Sequence, residues 1–233
     1  MQAVILAGGL ATRLGSRTRE TPKALIEVHG RPFIAWQLEL IRRSGYESAL
    51  LCISHLGDRI RDYVGHGEKF ALAVSYSEDG PRLLGTAGAL RRALPLLEET
   101  FLVTYGDSYL PFDYSGPLRD LLSHPEALGT LAVFRNRDLW DKSNVELRGE
   151  LVARYEKGGA DPLLEYIDYG ATALRREVIE AIVENEPRGL DQLQAELAAQ
   201  RRLRALVAEQ RFYEIGSERG IGDLEQRLRE EFG

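Results

Sequence analysis

Two neighbouring segments near the amino terminus carry residues suited to gripping phosphate. The first, Leu6-Ala-Gly-Gly-Leu-Ala-Thr-Arg-Leu-Gly15, leaves a short apolar run and breaks at once into paired glycines; the second is Thr21-Pro-Lys-Ala-Leu25. Gly8 and Gly9 permit tight turns and a close backbone approach to a ligand. Successive N–H groups from Leu6 and Ala7 through the glycines can form an anion-binding concavity. Thr12 adds a hydroxyl, Arg13 a planar fork for phosphate oxygens and Lys23 a mobile point charge. Pro22 stiffens the approach to Lys23 by fixing its own φ. The spacing excludes two better-known loops. No lysine follows a suitably spaced glycine, so GxxxxGK[ST] fails, and Leu10 stands where GxGxxG needs its second glycine. Two glycines and one arginine alone would read equally well as a solvated loop. The full string discriminates.

Three further pieces complete a candidate site. Leu84-Gly-Thr-Ala-Gly-Ala-Leu90 places Gly85 and Gly88 where backbone can lie close to a planar base, with Thr86 at a helix start. A plain capped helix start is the competing reading of that segment, and its company with the first loop favours the base. Glu78 or Asp79, just upstream, can help choose that base, and the sequence does not assign which. Phe101-Leu-Val-Thr-Tyr-Gly-Asp107 is an apolar strand ending in an acid. A carboxylate at a strand's carboxyl end is well placed to hold Mg²⁺ on bound phosphates, so Asp107 is the candidate metal ligand. Asp113 is too far along the chain to make a DxD pair with it.

The elements that must position these residues alternate. Ala3–Leu6, Ala49–Ser54, Ala71–Ser77 and Phe101–Thr104 read as strands; between them a segment opened by Pro32 and ending near Gly45, then Asp58–Val64 and Thr86–Leu94, read as helices. Such a succession predicts a Rossmann-like three-layer α/β sandwich with a mostly parallel mixed sheet covered on both faces. The second half is less regular. A strand is expected at Gly129–Arg135, a hairpin from Asn144–Leu147 and Leu151–Tyr155, and a strand at Tyr166–Leu174. Helices are expected at Arg176–Glu184, Leu190–Ala199 and Asp223–Glu231, with closing strands at Arg204–Val207 and Phe212–Ile215. No repeat or compositional break marks a linker, so one domain spanning 1–233 is the expectation.

Composition narrows the function. A net charge of −6, with no long basic run, gives little support to nucleic-acid coating. No stretch approaches the roughly 20 apolar residues of a membrane span, and the N-terminus lacks a signal-peptide pattern. A cytoplasmic location without membrane or nucleic-acid partners is expected. The lone Cys52 sits in an apolar run as a buried strand residue, and His29, His55, His66 and His124 are scattered without metal-ligand spacing.

Leu6–Pro32, reading LAGGLATRLGSRTRETPKALIEVHGRP, resembles the signature LAGGxGTRLxxxTxxxPKxLxxVxGKP of the sugar-phosphate nucleotidylyltransferase family. Ala11 replaces a glycine and Arg31 a lysine. The LGTAGAL and GD elements resemble family segments as well. The resemblance implies a nucleotide-diphospho-sugar transferase-like fold and transfer of a nucleotidyl group from an NTP to a sugar 1-phosphate, with GTP or UTP slightly favoured. It gives Gly8, Gly9, Thr12, Arg13 and Lys23 to the triphosphate. Arg13, Lys23 and Asp107 become catalytic, and Mg²⁺ the cofactor. Arg211–Ser217 resembles the segment carrying the family's second metal ligand, with Glu214 in place of aspartate. Glu156-Lys157 resembles a pair that meets the sugar and its phosphate, and Asp168 is the candidate for sugar hydroxyls. A homo-oligomer is compatible with this reading. The rivals are a cytidylyltransferase for a phosphocholine- or phosphonate-type acceptor, a glycosyltransferase consuming a nucleotide sugar, and a catalytically silent regulatory subunit of the same fold.

Overall fold

A computed structural model describes residues 1–9, 21–80, 82–159 and 161–232. Thr12 and Arg13 therefore lie outside the described residues, as does Ala11. The first unit is β1 (Gln2–Leu6), two short strands β2 (Glu27–Val28) and β3 (Arg31–Pro32), and α1 (Phe33–Arg43). Next come β4 (Ser48–Ile53), α2 (Gly57–Val64), β5 (Ala73–Glu78), α3 (Gly85–Ala93), β6 (Thr100–Tyr105), β7 (Ser108–Tyr109) and α4 (Ser115–Ser123). The remainder is β8 (Gly129–Arg135), β9 (Val145–Arg148), β10 (Leu151–Tyr155), β11 (Tyr166–Arg175), α5 (Glu177–Glu180), α6 (Leu190–Ala199), β12 (Leu203–Ala208), β13 (Tyr213–Glu214) and α7 (Glu218–Phe232).

Among the described residues, nine strands form one sheet in the order β5-β4-β1-β6-β11-β8-β12-β10-β9. The pairs β5–β4, β4–β1 and β1–β6 are parallel, as the alternating first half predicts. Beyond β6 the sheet is mixed, because β11 runs antiparallel to both β6 and β8 while β12 lies parallel to β8. Side chains of a strand alternate between faces. Accordingly Ala3 and Ile5 of β1, with Ala49, Leu51 and Ile53 of β4, join one core with Ile34, Leu38 and Ile41 of α1. Val4, Leu50 and Cys52 join the opposite core with Leu90 of α3 and Leu193 of α6. Both faces are covered, which is why β1 and β4 read as continuous apolar runs. A third cluster packs Ile221, Leu224 and Leu228 of α7 against Ile26, Val28, Trp36, Tyr109 and Ile215.

Several expectations change. Pro32 precedes α1 as its N-cap rather than entering the first turn, with φ −55° and ψ 136°. The helix expected over Arg176–Glu184 is the single turn α5. The Phe212–Ile215 segment does not close the large sheet; β13 pairs with β7 in a separate antiparallel ribbon. No described helix is long and apolar enough to cross a membrane.

Candidate active site

Connections from β1 run through β4 to β5 on one side, and β6 lies on β1's other side. The strand order therefore reverses between the parallel neighbours β1 and β6, and open α/β sheets bind ligands in the crevice outside such a point. A cavity of about 520 Å³ opens there, lined by Leu6–Gly9, Lys23, Asp79, Leu83, Gly85, Thr86, and the Tyr105–Asp107 turn, among others.

Close backbone approach makes the crevice. Gly106 donates its N–H to Leu6 O at 3.0 Å. A Cβ added at Gly106 would stand 2.7 Å from Leu6 O and 2.8 Å from Ala7 Cα, so only glycine lets the two strand ends meet. Gly106→Ala is expected to lower stability by about 1–3 kcal/mol through overpacking; an unchanged urea midpoint would contradict this. The paired glycines differ. A Cβ at Gly8 would sit 3.1 Å from Asp79 Oδ2 and Ser54 Oγ, whereas one at Gly9 meets open space. Ser54 Oγ donates to Gly8 O at 2.6 Å, holding the strand exit in place.

Lys23 opens a 3-10 turn behind Pro22, whose φ of −62° and ψ of 145° are extended. Its Nζ donates to Asp107 Oδ2 at 2.5 Å, with the side chains 13% and 32% exposed. The cation and carboxylate picked out in the sequence thus face each other across the cavity floor. Glu214 joins them through backbone. β13 lies antiparallel to β7 with Glu214 opposite Ser108, and Ile215 N–H donates to Asp107 O at 3.0 Å. A Cβ at Gly220 of α7 would fall 2.1 Å from Glu214 O, so the terminal helix packs directly on this ribbon.

Opposite, Gly85 (φ +72°) and Thr86 line the cavity, and Gly88 does not. The helix start is satisfied by protein. Ala87 and Gly88 N–H groups donate to Arg188 O at 3.0 and 3.2 Å, and Leu190 N–H donates to Thr86 Oγ1 at 2.7 Å. Glycine at 85 and 88 accommodates this passing loop, since a Cβ would reach Arg188 O at 2.5 Å from Gly85 and Glu186 O at 3.4 Å from Gly88. Asp79 follows β5 and is buried, and its Oδ1 has no hydrogen-bond partner. Burial raises its pKa, with Arg92 opposing. Half-exposed Leu83 and buried Ala89 supply apolar wall beside it.

Asp168 stands where β11 enters beside the exit of β6. A bulge between Asp168 and Thr172, with Gly170 at φ +96°, turns its carboxylate. Gly170 N–H donates to Oδ1 at 2.8 Å and Tyr155 OH to Oδ2 at 3.0 Å. Burial pushes the Asp168 pKa up, against those bonds, a contact from Gln194 and the charge of Lys157. Asn144 connects this carboxylate to the Glu156 segment: its Oδ1 accepts from Asp168 N–H, and its carbonyl from Glu156 N–H, both at 2.8 Å. Exposed Lys157 lies 3.9 Å from Asp191 of α6. Tyr105, on the cavity wall, has its hydroxyl pKa raised well above the usual value by burial, then by Asp168, Asp191, Asp107 and Glu214 in turn.

Of the described residues selected from sequence, Leu6, Ala7, Gly8, Gly9, Lys23, Gly85, Thr86 and Asp107 line the cavity; Gly88, Glu156, Lys157, Asp168 and Glu214 are not among its lining residues. Leu83, Tyr105 and Gly106 also line the cavity and were not selected from the sequence. Tyr105 and Gly106 carried a signal, since they immediately precede the strand-end acid. Cys52 is buried, and burial pushes its thiol pKa up, in keeping with a strand residue rather than a nucleophile.

Asp107 is the carboxylate on the cavity lining, and Mg²⁺ typically takes one or two carboxylates and leaves its other positions to substrate phosphates and water. Among the described residues no group of three or more His, Cys, Asp or Glu side chains gathers to hold a metal by protein alone.

Known proteins resemble this chain in sequence and in fold. The chain is 35% identical over 127 residues to the N-acetylmuramate alpha-1-phosphate uridylyltransferase of Neisseria meningitidis serogroup B, covering 54% of this chain and 55% of that one. It is 33% identical over 116 residues to the D-glycero-alpha-D-manno-heptose 1-phosphate guanylyltransferase of Campylobacter jejuni, covering 49% and 51%. The match thus spans about half the length of these curated relatives. The fold is shared with a crystal structure of a glucose-1-phosphate thymidylyltransferase described as putative from Bacillus anthracis, at a TM-score of 0.86, 18% identity, and 98% and 95% coverage. HddC from Yersinia pseudotuberculosis superimposes at a TM-score of 0.81 with 24% identity, covering 97% and 99%. A family model for nucleotidyl transferases matches residues 2–216, and the chain belongs to that family.

Proposed function

We propose that this protein transfers a nucleotidyl group from an NTP to a sugar 1-phosphate, giving an NDP-sugar and pyrophosphate. The observation that carries the reading is the cavity at the β1–β6 reversal, where glycine backbone and the Lys23 cation meet the Asp107 carboxylate. A phosphate oxygen of the sugar phosphate forms a bond to the α-phosphorus, and the bond from that phosphorus to the α,β-bridging oxygen breaks. The nucleophile is already anionic near neutral pH, so no general base is needed. The task is to align two anions that repel each other and to stabilise the charge of the transition state.

Lys23 is the described cation placed for that charge, and Arg13 belongs to the same loop by sequence. Backbone of Ala7, Gly8 and Gly9 holds polyphosphate, while Gly85, Thr86 and Leu83 flank the nucleoside. Asp107 and Glu214 would hold Mg²⁺, which neutralises polyphosphate charge when bound. Asp168, Glu156 and Lys157 take the sugar phosphate. One domain belongs to this reading, supported by a nine-stranded sheet that draws strands from both halves of the chain; a cytoplasmic location is part of the same proposal.

Asp79 supports GTP or UTP as donor. A buried carboxylate without a hydrogen-bond donor is costly unless a ligand supplies one. Guanine offers N1–H beside its amino group and uracil, like thymine, offers N3–H, whereas adenine and cytosine place an acceptor nitrogen beside their single amine. A pyrophosphate-release screen of the four NTPs and dTTP against a panel of sugar 1-phosphates, run on wild type and Asp79→Asn, tests both statements. Turnover is expected with GTP or UTP, with that preference reduced in the variant. Folded protein that releases no pyrophosphate with any pair would overturn the assignment. An unchanged donor preference in Asp79→Asn would remove Asp79 from base selection.

A further inference from the structure

Gln37 is a fully buried polar residue in the middle of α1, on a helix whose other buried residues are Phe33, Ile34, Ala35, Trp36, Leu38 and Ile41. Its Nε2 donates to Tyr105 O at 2.8 Å and to Ser108 O at 2.9 Å. These two carbonyls bracket Gly106-Asp107. Both amide hydrogens are therefore spent on one turn, and that turn carries the carboxylate facing Lys23. The orientation follows from chemistry: with the amide reversed, Oε1 would oppose two carbonyl oxygens. As it stands, Oε1 is buried with no hydrogen-bond partner. A buried acceptor left unsatisfied is destabilising. A helix serving only the core would place an apolar side chain there.

We propose that Gln37 is the positioning residue for Asp107, an amide clamp from α1 that fixes the Tyr105–Ser108 turn and, through it, the metal-binding and phosphate-facing edge of the site. The clamp acts at two points. Tyr105 O belongs to the end of β6, and Ser108 O to the start of β7, which pairs with the Glu214 ribbon. Holding both ends sets the direction of the Asp107 side chain and the reach of Asp107 O to Ile215 N–H. Aspartate chemistry in the turn depends on the preceding reading of function; the clamp itself does not.

The test is Gln37→Met, which keeps length and apolar bulk and removes both donors. Ile41→Val, a buried change on the same helix away from the turn, is the control for general destabilisation. Hydrogen exchange of the Ile215 amide, which donates to Asp107 O, is expected to quicken at least tenfold in Gln37→Met and to stay near wild type in Ile41→Val. Where a misplacement of about 1 Å costs roughly 10²-fold, kcat is expected to fall about ten- to hundredfold, with KM for the NTP changed far less. Ile215 exchange within about twofold of wild type would overturn the clamp, whatever the activity. Accelerated exchange with unchanged kcat would overturn its role in the site. If Gln37→Met does not fold, the side-chain amide protons of Gln37 in the wild-type protein decide the clamp. Slow exchange supports it, and exchange as in a free peptide refutes it. A wild-type protein with no transferase activity would end the functional reading while leaving the exchange result to judge the clamp.

Discussion

Lys23→Met is expected to lower kcat for pyrophosphate release by about 10²–10³, the range seen when one preorganised transition-state donor is removed. Methionine keeps most of the stem, so the packing around the Pro22 turn and buried Ala24 is retained while the cation goes. The side chain is only 13% exposed, so its charge acts where water screens it weakly. KM for the NTP should rise less than kcat falls, because phosphate charge is also held by backbone of the glycine loop. Steady-state kinetics with a melting curve on the same sample checks this. Full turnover by folded Lys23→Met would remove Lys23 from the chemistry.

Asp107→Asn should be comparably severe, for a different reason. Asparagine preserves shape and still accepts from Lys23, but it surrenders the negative charge a divalent cation requires. A loss of about 10²-fold or more in kcat is expected, together with a higher Mg²⁺ concentration for half-maximal rate. Because Lys23 and Asp107 contact each other at 2.5 Å, their effects should not add. The Lys23→Met, Asp107→Asn double variant is expected to be little slower than the worse single one. Strict multiplication of the two losses would show that the residues act separately.

The fold was legible wherever local pattern and tertiary role agree. Gly129–Arg135 and Leu190–Ala199 have the boundaries that periodicity predicts, because one is an apolar run inside a sheet and the other carries a regular inward stripe. α4 escaped notice because it opens Ser115-Gly-Pro, which resembles a turn, and its buried stripe is brief: Pro117, Leu118 and Leu121. α7 begins at Glu218 rather than Asp223, since Gly220 and Gly222 look like breakers in the chain. At Gly220 the missing side chain is needed for contact with Glu214 O. Tertiary packing overrode propensity there.

The same division holds for the site. Lys23 and Asp107 could be picked out because each sits in a distinctive local string, and the structure brings them into contact. Gln37 could not. A polar residue in an amphipathic helix reads as solvent-facing unless its partners, here nearly seventy positions downstream, are known. Asp79 was visible as an acid after a strand, but its burial and unpartnered oxygen come from β4 and the Gly8 turn closing around it.

The ribbon joining β7 to β13 has a consequence for synthesis on the ribosome. The strands that frame the phosphate corner are in the nascent chain once Asp107 has been translated, yet Glu214 and the helix that seats it emerge about a hundred residues later. A growing polypeptide can thus assemble its parallel half early, whereas the ribbon that meets Asp107 and the helix packed on it can form only after the last turns of α7 clear the exit tunnel.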